Sequence, residues 1–129
     1  MEIQPREIGD DEYVSHYGSR LTGEVVFKDH LRPQDRGALS VIIGKVTPAE
    51  ARRRVRKAGE VSGDDGVRYA RVEDLRAQGF TVTHAPRAGN ILHARVGFDG
   101  AWDDGVAGKF NQCFDTPLWY EEESEGGSG

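Results

Sequence analysis

One cysteine, Cys113, leaves this 129-residue chain without a partner for an internal disulfide, so nothing in it calls for an oxidising compartment. Long apolar runs are missing too. No window approaches the roughly 18 to 20 apolar residues that cross a bilayer, and 30% of the residues are charged. The opening residues, Met1 to Arg6, lack the basic-then-apolar order of a secretory signal. The expected compartment is therefore the cytoplasm, with no membrane association. A phosphate-cradling glycine motif, a duplicated histidine signature and an internal repeat are all absent, and no complete catalytic motif can be read. What remains is a hydrophobic fraction of 36% that includes Trp102, Trp119, five Phe and four Tyr. That is enough for the modest core of one domain, which at this length folds without a metal or disulfide framework.

Charge is unevenly distributed. The formal net charge is −5, yet from Asp115 onward there are five carboxylates (Asp115, Glu121, Glu122, Glu123, Glu125) and no Lys or Arg. Setting these five aside from the 22 acidic residues leaves 17, which balance the 17 basic ones. The body is neutral, and the asymmetry marks a solvated tail.

The pattern predicts a single α+β domain: a mostly antiparallel sheet of about five or six strands with two or three helices packed on it. Residues 1–11 form a polar N-terminal extension, extended or loose; 12–120 form the domain; 121–129 form a flexible acidic tail ending in Gly and Ser. Tyr13 to Tyr17 and Glu24 to Phe27 read as short strands, and Lys28 to Gly37 as a loop. Ala38 to Ile43 (ALSVII) is the most β-prone stretch, stopped by Gly44.

Thr47-Pro48-Ala49-Glu50 combines an N-cap hydroxyl, a proline at the first helical position and a carboxylate at the third. A helix is expected from Pro48 to about Ala58, closed by Gly59. Val67 to Val72 alternates as a strand, and Glu73 to Gln78 forms a short helix. Phe80–Ala85 and Ile91–Phe98 flank a five-residue loop as a hairpin. Pairing Val82 with Ala94 puts Phe80 opposite Val96 and separates an apolar face from Thr81, Thr83, His93 and Arg95. A second helix runs from Trp102 to Phe114, with Val106, Phe110 and Cys113 on one face. Leu118 to Tyr120 pack back before the tail leaves.

Few residues suggest chemistry. His84 and His93 fall on opposite faces of the hairpin and cannot share an ion, while His16 and His30 have no ligand at metal spacing. No metal and no cofactor are expected. Cys113 lies between Phe110 and Phe114 on its helix, where a small buried thiol fits better than a nucleophile. His16, His30 and Arg32, with Arg20, Asp35 and Arg36 nearby, are the candidates for a catalytic loop acting on a phosphorylated or nucleotide substrate. The first helix carries Arg52, Arg53, Arg56 and Lys57 as candidate binding residues for an anionic partner. The neutral body, and the lack of aromatics interleaved with these cations, argue against nucleic acid.

The end of the chain, Glu121-Glu122-Glu123-Ser124-Glu125-Gly126-Gly127-Ser128-Gly129, resembles the tails of ubiquitin-like modifier precursors. In those proteins a protease trims back to the second glycine of an exposed pair, whose carboxylate is then activated. The resemblance implies that role for Gly126 and Gly127. It covers those two residues and the two after them, and the body departs from a compact ubiquitin fold in length and in helix placement. The first expectation for function is an accessory, adaptor-like protein whose partner is another protein. The small His/Arg enzyme and the modifier precursor stand as alternatives.

Overall fold

The computed structural model describes residues 4–19, 31–32, 38–55, 65–100, 103–115 and 117–119. Its centre is the β-prone stretch. Ala38–Ile43 forms β3, buried along almost its whole length because apolar side chains leave both faces of the strand and both faces are covered. β1 (Tyr13–Ser19) and β6 (His93–Phe98) run antiparallel on either edge of β3. β4 (Asp65–Arg71) pairs β1 along its full length, from Tyr13↔Arg71 to Ser19↔Asp65. β5 (Phe80–His84) closes one side on β6, and β7 (Leu118–Trp119) the other on β4. The order is β5-β6-β3-β1-β4-β7, every ladder antiparallel. The two-residue β2 (Leu31–Arg32) pairs Leu39 and Ala38 on the edge of β3 that β1 occupies at Ile42 and Ile43. β2 lies within the stretch read as a loop.

Among the described residues three helices cover the sheet. α1 (Pro48–Val55) starts where the capping signal placed it: the Thr47 hydroxyl accepts from the Glu50 N–H at 3.2 Å. Its continuation towards Ala58 lies outside the described residues. α2 (Val72–Ala77) and α3 (Asp104–Gln112) follow β4 and β6, and Asp103 caps α3 by accepting from the Val106 N–H at 2.9 Å. The main core lies on the face where Val14, Leu39, Val41, Val82 and Val96 meet Leu75 of α2 and Val106 and Phe110 of α3. On the other face Ile42 and Val46 pack on Ala51 of α1. This is a single α+β domain, and no helix among the described residues is long and apolar enough to cross a membrane.

The hairpin register differs from expectation by two residues. Val82 pairs with Val96, Phe80 with Phe98 and His84 with Ala94. A shift of two leaves every side chain on its expected face, so the apolar pattern alone could not distinguish the registers. The turn decides between them. Arg87 and Asn90 exchange backbone hydrogen bonds at 3.1 and 2.9 Å, and Gly89 takes φ 81°, which consumes residues that the shorter loop assigned to β6.

The segment before β1 is also more engaged than its polarity suggested. Ile8 is 1% exposed and belongs to the main core. The Arg6 side chain forms a two-pronged pair with Glu12, at 2.9 and 2.7 Å, that braces the bend.

Candidate functional site

His16 is the one catalytic candidate whose side chain the structure describes, and it is 1% exposed. Its Cα partner across the β1–β4 ladder is Arg68. Both side chains leave the sheet on the face covered by α3. Arg68 Nε–H donates to His16 Nδ1 at 3.1 Å, and Arg68 Nη2 donates to Asn111 Oδ1 at 2.8 Å. The imidazole packs edge-on against Phe110, with centroids 5.6 Å apart, and tilted against Phe114 at 5.8 Å. The guanidinium carbon sits 4.7 Å from the Phe114 ring centre and 5.5 Å from that of Phe110.

Arg68 is only 4% exposed, and no carboxylate pairs with it among the described residues. Burial pulls its pKa down to about 10, which leaves it cationic at neutral pH. Because His16 Nδ1 accepts from Arg68, the proton of the neutral ring sits on Nε2. The arrangement holds a charge in place.

The other described histidines are structural ties. His84 accepts the Arg6 backbone N–H on Nδ1 at 3.0 Å and donates from Nε2 to the Ile91 carbonyl at 2.7 Å. His93 donates from Nδ1 to the Ala85 carbonyl at 2.8 Å, and its Nε2 meets the Ser40 hydroxyl at 3.1 Å. In the neutral ring that hydroxyl is the donor. β1 and β5 are three strand spacings apart, about 14 Å, so His16 and His84 serve separate parts of the sheet. Among the described residues no three His, Cys, Asp or Glu side chains group as metal ligands would.

Cys113 is half-buried, and its thiol donates to the Lys109 carbonyl at 3.3 Å. Burial, with the nearby Asp74 charge adding to it, pushes the thiol up to about 11. A thiol held in its protonated form is a poor nucleophile.

The remaining sequence candidates separate. Arg32 stands in β2 with Ala38 as its Cα partner, and His30 lies outside the described residues. Arg52 and Arg53 are in α1, and Arg53 is exposed, whereas Arg56, Lys57, Gly126 and Gly127 lie outside the described residues. Arg68 and Asn111 were not singled out from the sequence. The available signal was parity: in Val67 to Val72, Arg68 shares its face with Ala70 and Val72, which are 2% and 0% exposed. Val67 on the opposite phase is fully buried as well, so parity did not single out Arg68 as the anomaly.

Comparison with known proteins adds no family: no family model, curated protein or solved structure matches the chain.

Proposed function

We propose that this chain is a non-catalytic accessory domain that binds another protein, with the cationic surface of α1 as its contact. The observation that carries this reading is the way α1 is mounted. Thr47 caps its start and Ala51, fully buried, seats it on the sheet. Arg53 is exposed, and no carboxylate among the described residues pairs with it. Arg52 and Arg54 flank it, and Arg56 and Lys57 follow in sequence. A capped helix that presents Arg53 within a sequence run of cationic residues favours an acidic protein surface, which it attracts over about a Debye length and orients on contact.

The state of the reactive groups agrees with binding over bond-breaking. His16, His84 and His93 are buried and tied to neighbouring strands or loops, and the Cys113 thiol is kept protonated.

Cross-linking of the full-length chain in its own host at low ionic strength tests the proposal. Partner cross-links are expected at α1. They should disappear in an Arg52→Glu/Arg53→Glu variant that keeps its melting temperature, and fade towards 1 M salt, where the Debye length falls to about 3 Å. The same partners captured equally by the charge-reversed chain would refute it.

A further inference from the structure

Arg68 poses a problem that the accessory role does not solve. A guanidinium carries five N–H donors, and two of them are used, one on His16 and one on Asn111. Both acceptors are neutral, and the nearby rings of Phe110 and Phe114 offset the charge only in part. Removing a cation from water is costly unless an opposite charge meets it.

The nearest carboxylate in sequence to this cluster is committed elsewhere. Asp115 accepts the Tyr69 backbone N–H at 2.9 Å and donates its own N–H to the Tyr69 carbonyl at 3.0 Å, which stitches it to the edge of β4. Nη1 of Arg68 has no hydrogen-bond partner among the described residues, yet it is not among the side-chain atoms sealed from solvent without one.

We propose that Arg68 anchors a binding site for a small organic monocarboxylate, whose carboxylate takes the unused guanidinium donors and whose apolar body lies against Phe114. The charge balance selects the class. One cation with neutral neighbours matches one negative charge; a phosphate dianion would bring a second charge that none of the described contacts of Arg68 neutralises. The aromatic wall selects the body, since rings that flank the guanidinium also offer apolar surface to a ligand beside it. The site is independent of α1.

Titration of the full-length protein with benzoate tests this, followed by the side-chain Nε–H resonance of Arg68 and by the melting temperature. Acetate, phosphate and chloride serve as comparisons at matched ionic strength. Benzoate is expected to shift the Arg68 resonance saturably and to raise the melting temperature, acetate to bind more weakly, and phosphate and chloride to have little effect. Asn111→Asp is the decisive variant because it supplies an internal carboxylate at the 2.8 Å contact. Benzoate binding should weaken at least roughly tenfold while the fold is retained or strengthened. Arg68→Met should abolish binding, and the α1 charge reversal should leave it unchanged. The proposal fails if benzoate does not saturate the wild-type protein, or if Asn111→Asp binds it equally well. It fails equally if phosphate binds as tightly as benzoate, or if reversing α1 removes the response.

Discussion

Arg6 and His84 are 78 positions apart in the chain, yet the backbone N–H of one donates to the ring Nδ1 of the other at 3.0 Å. That bond ties the segment before β1 to the end of β5, at the far side of the sheet from β4. The same segment reaches α2, where the Val72 and Glu73 N–H groups donate to the Glu12 and Asp10 carbonyls and Arg76 pairs with Asp10 at 2.6 Å. Between the two anchor points Ile8 enters the core.

Ile8→Ala should therefore behave as a core truncation rather than as a change in a loose terminus. The side chain is 1% exposed, and removing its methyl groups forfeits burial and leaves a void. Denaturant unfolding should show a loss of about 2 to 4 kcal/mol at an unchanged m-value. A loss within 0.5 kcal/mol would mean that the segment contributes little to stability.

Glu12 makes the same segment sensitive to acid. Its two hydrogen bonds with the Arg6 guanidinium, helped by the Gly9 N–H, hold its carboxyl down to about 2. A folded-state pKa below the unfolded value stabilises the fold above the unfolded pKa, and that contribution is lost as pH falls through the folded pKa. The window runs from about pH 4.5 down to 2. Both partners are substantially exposed, so the contribution is small and screened by salt. Stability measured across this window should decline less steeply in Glu12→Gln than in the wild type, and the difference should shrink at high salt. Parallel curves would remove Glu12 from the acid response.

Much of this fold could be read from the residues, for local reasons. ALSVII is β3 to the residue, and the Thr47-Pro48 signal marks the start of α1, because strand propensity and capping act within a few positions. The placement of Ile8 could not be read, since one apolar residue in a polar stretch has no period. The hairpin register was ambiguous because a two-residue slip preserves both faces, and only the Arg87–Asn90 turn resolves it. The Arg68 cluster was hidden for another reason: His16, Arg68 and Asn111 come from three elements, and only the β1–β4 pairing together with the packing of α3 on that face brings them together.

Cys113 should be slow to alkylate. Its thiol is pushed up to about 11, so the thiolate is scarce at pH 8, and the sulfur is half-buried against the Lys109 and Asp74 carbonyls. Iodoacetamide labelling of the folded chain at pH 8 should run at least roughly tenfold slower than in denaturant, and should accelerate as pH rises towards 11. Rapid labelling at neutral pH would show an activated thiol and reopen a nucleophilic role.

The setting of α1 depends on Ser15. This residue is fully buried and spans the connection from β3 to the helix: its hydroxyl donates to the Gly44 carbonyl at 2.6 Å and accepts the Val46 N–H at 3.0 Å. Gly44 adopts φ 98°, a conformation that favours glycine, and the Val46 carbonyl is held by the Tyr69 hydroxyl at 2.7 Å. The turn into Thr47 is thus fixed on both sides of one residue, Val46. Ser15→Ala leaves a buried N–H and a carbonyl without their partner, a cost of about 1 to 3 kcal/mol. The loss should be localised, with faster hydrogen exchange at the Val46 amide and little change at amides of the β5–β6 ladder. If α1 is the protein-binding surface, the same substitution should also weaken the partner cross-links at α1, because the helix would no longer be held at one angle. Cross-links that persist at full yield while Val46 exchanges freely would show that the partner does not depend on this mounting.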